Sequence, residues 1–172
     1  PELDGLHLDY IRYPNSSLGY HPISMSRYND VKAQQNLDWN EWRILQVTSL
    51  VETIRQLVDK ISPGLILSAA VMPDPDSAAR YYAQDWKDWL ERGLVDYVCP
   101  MNYSTDIAKF RESLDAADRT GFSEKIVMGI RAWNNNGDSL VPNVLARNYN
   151  IMDVAEWIGE IRKRDFAGIA LF

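Results

Sequence analysis

The chain has 172 residues, of which 46% are hydrophobic and 24% charged, enough for one domain with a real core. A formal net charge of −6 argues against nucleic acid or an anionic membrane surface as partner, and no apolar run is long enough to span a bilayer. Cys99 is the only cysteine, so no internal disulfide and no cysteine-rich metal site is possible, and it reads as a packing residue in an apolar strand.

Taken in order, Asp4-Gly5-Leu6-His7-Leu8-Asp9-Tyr10-Ile11-Arg12-Tyr13-Pro14 comes first. Leu6, Leu8 and Tyr10 alternate with His7, Asp9 and Ile11, the period-two signature of a strand, and Pro14 stops it. The chain opens directly on this strand, so we expect a piece whose preceding strands lie outside it. From Asn15 to about Asn40 the sequence is polar and aromatic, with Tyr20, His21, Tyr28 and Trp39, and reads as a long loop. A helix is expected from Trp42 to Ile61, with Leu50, Ile54, Leu57, Val58 and Ile61 on one stripe, ended by Ser62-Pro63-Gly64. Leu65 to Val71 reads as a strand buried on both faces and closes on Met72-Pro73-Asp74-Pro75-Asp76.

A short helix follows with Trp86, Trp89 and Leu90, capped by Gly93. Val95 to Tyr103 is a third strand with a polar end at Asn102 and Tyr103. Ile107, Phe110, Leu114 and Ala117 mark a helix stopped by Gly121. Lys125 to Ile130 is a fourth strand, running into Arg131-Ala132-Trp133-Asn134-Asn135-Asn136-Gly137. A helix over about Met152 to Arg164 and a strand over Ala167 to Phe172 complete the order β-α-β-α-β-α-β-α-β.

Strands alternating with amphipathic helices predict parallel βαβ units with right-handed crossovers. No GxGxxG or P-loop follows any strand, so a nucleotide-binding sheet has no support. Polar clusters follow the strands instead: His7/Asp9, Asp74/Asp76, Asn102/Tyr103 and Arg131/Trp133/Asn134. Such an even spread suits a barrel, in which the βα loops surround one mouth. Five strands are too few to close a TIM (β/α)8 barrel, so residues 1–172 are expected to form a single partial domain, roughly strands four to eight. The outer strands would then expose edges, so the piece is expected to form a homodimer, pair with the missing segments or show disordered margins.

The 4–14 block closely resembles the fourth-strand motif of the glycosyl-hydrolase-like family 10 proteins, bacterial TIM-barrel proteins often exported or lipid-anchored. The resemblance continues through Gln84-Asp85-Trp86, Trp89-Leu90, Gly93, Val95-Asp96-Tyr97-Val98 and Pro100-Met101-Asn102-Tyr103, and reaches Gly168-Ile169-Ala170-Leu171-Phe172. It implies a glycoside hydrolase of bacterial polysaccharide, peptidoglycan glycan strands among the substrates, in an extracytoplasmic or cell-envelope location. The first block is also similar to the Asp-x-x-Asp-x-Asp-x-Glu strand of family 18 chitinases. Asp4, His7, Asp9 and Ile11 stand at those positions, so the chitinase acid is absent.

Glycoside hydrolysis generally uses two carboxyl groups, one of them held protonated. Asp9, at the end of the first strand, is the first catalytic candidate; as a structural acid it would pair with Arg12 or His7. Asp74, beyond the second strand, is the natural catalytic partner, and as a structural residue it belongs to a turn. His7, Arg12, Tyr13, Asn102, Tyr103, Arg131, Trp133 and Asn134 are candidates for holding a carbohydrate substrate; the alternative is a satisfied core histidine for His7, neutralising Asp9 for Arg12 and Arg131, and ordinary rim packing for the others. No cofactor is expected. A metal-dependent hydrolase using His7 and Asp9 is a minor alternative, because a catalytic metal needs three or more converging ligands. A carbohydrate-binding barrel without catalysis is the principal alternative.

Overall fold

A computed structural model describes residues 3–132 and 150–172. The first strand, β1 (Gly5–Leu8), pairs in parallel with β2 (Ile66–Val71), which pairs in parallel with β3 (Tyr97–Pro100). Further along, β4 (Val127–Ile130) pairs in parallel with β5 (Gly168–Leu171). Parallel bridges Val98–Ile126 and Met101–Gly129 join β3 to β4, and the Asn102 N–H donates to the Gly129 carbonyl at 2.9 Å. Strand order is therefore the order of the chain, β1-β2-β3-β4-β5. A doubly wound sheet would reverse direction at a switch point, and this arrangement has none among the described strands.

One face of this layer is dry. Leu67, Ala69 and Val71 of β2, Val98 of β3 and Met128 and Ile130 of β4 are fully buried. They pack with Val51, Trp89, Leu90, Phe110, Leu114, Trp157 and Ile161 from the helices in one core. The other face is partly open. Ile66 is 44% exposed and Ser68 half-buried, so β2 is not covered on both faces as its apolar run suggested.

The first strand is shorter than its alternation predicts. Tyr10 takes φ +55°, a left-handed conformation costly for a side chain of this size, and its N–H donates to Asp9 Oδ1 at 2.7 Å. That turn breaks the period. Ile11 swings to the buried, helix-covered side instead of sharing a face with His7 and Asp9.

The polar segment after Pro14 contains a helix, α1 (Pro22–Gln35), where a loop was expected. Pro22 supplies a preset φ at its start, and the His21 ring accepts from the Ile23 N–H. Asn36, at φ +49°, ends it. Its residues are mostly exposed, so it carries no apolar stripe to read. Next, α2 (Trp39–Ile61) opens on a capping box: Asp38 accepts from the Glu41 N–H and Glu41 accepts from the Asp38 N–H. Its buried face is Trp42, Arg43, Val47, Thr48, Val51 and Val58. Leu50, Leu57 and Ile61, expected on the core stripe, are 52%, 51% and 79% exposed. The helix has two apolar stripes, and only one meets the sheet.

Two short helices follow β2. They are α3 (Pro75–Tyr82), which the sequence did not reveal, and α4 (Trp86–Glu91). Between them Ala83 takes φ +54° and Gln84 is sealed from solvent. Gln84 Oε1 accepts from the Met72 N–H at 2.8 Å, while Nε2 donates to the carbonyls of Ala70 (3.2 Å) and Ile11 (3.3 Å). One amide thus ties the chain beyond β1 to the end of β2. On the far side, α5 (Ile107–Asp118) and α6 (Ile151–Ile161) stack Phe110 on Trp157. The buried Glu160 accepts from Arg111 at 2.8 Å and Lys163 at 2.7 Å, and Arg164 pairs with Asp115. Among the described residues no helix is long and apolar enough to cross a membrane.

Replacing Gln84 with Leu strands three backbone groups in a dry core, and is expected to cost about 2–4 kcal/mol in urea denaturation. The hydrogen bonds from Arg111 and Lys163 hold the Glu160 carboxyl at about 2, well below its ordinary 4.5. Its folded pKa is depressed, so its contribution is complete above pH 4.5 and fades as pH falls toward 2. Melting curves from pH 7 to 2 should show Glu160→Gln less stable at neutral pH, with the gap to wild type closing across that window. A constant gap would refute the linkage.

Candidate active site at the strand ends

Because the strands are parallel, their carboxyl ends gather on one side of the molecule. His7, Ser68 and Tyr97 lie in one row of the partly open face, and Ala70 and Cys99 in the next. His7 Nδ1 and Ser68 Oγ are 2.8 Å apart, so the imidazole is held by the neighbouring strand. Asp9, two residues beyond His7, continues toward the Ala70–Cys99 row.

Tyr103, just past β3, faces it. Burial, then the nearby Asp9 carboxylate and the Cys99 thiol, push the Tyr103 phenol above its ordinary value. The phenol therefore keeps its proton at any working pH and is a permanent donor beside Asp9. Burial also pushes the Cys99 thiol up, which keeps it neutral and unreactive. Tyr103 leans on Phe172, with ring centroids 5.8 Å apart. Gly129 makes room for this contact: a Cβ there would stand 2.9 Å from the Pro100 carbonyl and 3.2 Å from the Phe172 ring.

Asn102 is 2% exposed and clamps the same corner. Its side-chain amide donates to the Phe110 carbonyl at 3.0 Å, tying the strand end to α5. Arg131 is likewise buried, directly after β4. Arg12 turns away from Asp9: its guanidinium lies 5.0 Å from the Tyr10 ring and 5.4 Å from the Tyr82 ring. Neither Arg12 nor His7 forms an ion pair with Asp9, which leaves the carboxylate exposed at the mouth of the site. Tyr13 donates its N–H to the Tyr82 carbonyl and lies under the Arg43 guanidinium, 4.3 Å from the ring centre.

Asp74 is placed elsewhere. It caps α3, accepting from the Ser77 N–H at 2.7 Å, and lines a cavity of about 130 Å³ with Lys87 and Arg119. Asp9 and Cys99 both act on the Tyr103 phenol, whereas Asp74 caps α3 and lines the separate cavity. Trp133 and Asn134 fall outside the described residues. Sequence reasoning missed Tyr10 and Gln84. No signal marked Tyr10, whereas Gln84 was in view, opening the Gln84-Asp85-Trp86 block. Among the described residues no three His, Cys, Asp or Glu side chains converge as a metal site.

A family model described as glycosyl hydrolase-like 10 matches residues 2–159, which takes in β1 through most of α6. The chain belongs to the glycosyl hydrolase-like 10 family. No curated protein matches it. The match covers Asp9, Asp74, Asn102, Tyr103 and Arg131, and membership of the glycosyl hydrolase-like 10 family points to a function of the glycoside-hydrolase type.

The charge of Asp9 raises the Tyr103 pKa, so its removal must lower it. In alkaline absorbance titrations, Tyr103→Phe should delete a phenol titrating above the ordinary value of about 10, and Asp9→Asn should move that phenol back toward it. An Asp9→Asn titration superimposable on wild type would show the two groups to be independent.

Proposed function

We propose that this chain carries the catalytic carboxylate of a glycoside hydrolase, Asp9, acting on a bacterial polysaccharide outside the cytoplasm, peptidoglycan glycan strands among the substrates. Residues 1–172 would form one partial domain, β1 to β5 being strands four to eight of a TIM barrel. Their parallel, sequential order and the family membership support that reading. The observation that carries the functional reading is an exposed carboxylate without an ion pair to Arg12 or His7, following β1 at the carboxyl ends of parallel strands, with the Tyr103 phenol near enough to feel its charge. The strained Tyr10 beside Asp9 adds to it, since such conformations cluster at active sites.

In this proposal Asp9 acts on the scissile glycosidic bond as nucleophile or base, and Tyr103 donates a hydrogen bond to the sugar or to Asp9. His7, Arg12 and Tyr13 would line the approach. Asn102 and Arg131, both buried, would hold the strand ends that shape it. Asp74 would be the second carboxyl, which demands a different placement when substrate is bound. Its capping role in a separate cavity favours the second reading, a barrel that binds carbohydrate without cleaving it.

Two conservative variants decide between these readings. Asp9→Asn should lower the rate on polymeric glycans by about 10²–10⁴-fold, and an unchanged rate removes Asp9 from catalysis. Asn caps helices as well as Asp does, so Asp74→Asn spares α3 while removing the acid. A loss on the same scale would establish Asp74 as the partner; full activity would exclude it. Glycan binding by wild type with no turnover would select the non-catalytic barrel.

A further inference from the structure

A second concavity lies away from Asp9, where the start of α2 meets the end of α3. It measures about 610 Å³, within the roughly 300–1,000 Å³ range of small-molecule sites. Its wall includes Tyr20, Trp39, Asn40, Arg43, Arg80 and Tyr81. Tyr20 stacks on Trp39 at 5.0 Å and Trp39 on Trp42 at 4.9 Å, a column running from a buried Trp42 to a Tyr20 that is 55% exposed. Tyr28 braces the column edge-on against both tryptophans. An exposed ring held this way loses little freedom when a ligand covers it.

The charge at this place is equally deliberate. Arg43 is 1% exposed, yet its hydrogen bonds go to the Asn15 carbonyl at 2.8 Å and Asn40 Oδ1 at 3.4 Å, and its Nε has no partner. Among the described residues no carboxylate pairs with it, and the guanidinium lies over the Tyr13 ring, 4.3 Å from its centre. Arg80, exposed on the facing helix, rests on Tyr81 and has no ion pair among the described residues. Asp38 also lines the cavity and keeps its negative charge while its Oδ1 accepts from the Glu41 N–H, so an incoming anion is favoured beside Arg80 rather than beside Asp38. An exposed arginine with no ion pair among the described residues, beside a rigid aromatic face, makes a complement to a ring that bears an anion.

We propose that this cavity is a subsite for a carboxylate-bearing sugar unit, with the outer face of Tyr20 stacking on the ring and the exposed Arg80 receiving the carboxylate. The inference rests on the reading of the chain as a carbohydrate-active protein and names the chemistry of one unit of its ligand. A uronic acid and a lactyl ether of an amino sugar share that chemistry.

Calorimetric titration of the protein with trigalacturonate, with the N-acetylglucosaminyl–N-acetylmuramic acid disaccharide and with neutral chitotriose tests it. At least one acidic probe should bind more tightly than chitotriose. Arg80→Gln should weaken that probe about tenfold and leave chitotriose unchanged, while Tyr20→Ala should weaken the same probe about tenfold through lost stacking. Both side chains are exposed, so neither substitution threatens the fold. Equal affinity for neutral and acidic probes, indifference to Arg80→Gln, or no binding of either acidic probe would overturn the proposal. Asp9→Asn should leave this binding intact. Turnover lost in Asp9→Asn with no acid-selective binding would sink the subsite alone, whereas acid-selective binding without any turnover would sink the hydrolase reading alone.

Discussion

The side-chain amide of Gln84 is the constraint on which the architecture of the site hangs. Parallel strands deliver their ends to one side, but they do not determine where the chain goes after leaving the ladder. Here a single buried amide reads three backbone groups from two neighbouring strand ends and admits one arrangement of them. The left-handed Ala83 turns the amide inward, and α3 and α4 are the arms that hold it there. In a low-dielectric interior such a network is rigid because every departure leaves a polar group unpaired. Asp9 and Tyr10 owe their position to it, since Ile11, the residue it grips, follows them directly.

The opposite corner is held by a different device with the same effect. Asn102 ties β3 to α5, Gly129 lets the strands and Phe172 close together, and Tyr103 stands on that platform. The carboxylate comes from the first strand and the phenol from the third, so their meeting reports on the register of the whole layer. This is how parallel folds make chemistry from residues distant in sequence: each strand contributes one group and the sheet supplies the precision.

Much of the fold was legible in the sequence because burial imposes a period. The four later strands and the helices beginning near Trp86, Ile107 and Met152 fell where apolar spacing put them. The failures have separate physical causes. α1 is missed because a helix lying mostly in solvent needs no stripe, and α3 because its start, Pro75-Asp76, looks like a turn. The stripe on α2 was placed only in part, since Ile54 and Val58 meet the core while Leu50, Leu57 and Ile61 lie on a second apolar stripe that spacing alone does not separate from it. At the site, Asp9 and Tyr103 could be named from position at strand ends, but their proximity could not, since it depends on register across three strands. Asp74 illustrates the converse: an acid after a strand is a site residue and a helix cap by the same sequence pattern.

Tyr10 has a consequence for how this protein would respond to selection. A left-handed φ costs a residue of its kind roughly 1–2 kcal/mol, a cost that Asn or Gly would largely avoid. A screen for thermal robustness would therefore favour exchange at this position. A screen for turnover would resist it, if the ring beside Asp9 and under Arg12 serves the substrate. One backbone angle thus marks where a stabilising exchange would be cheapest, beside the exposed carboxylate of Asp9.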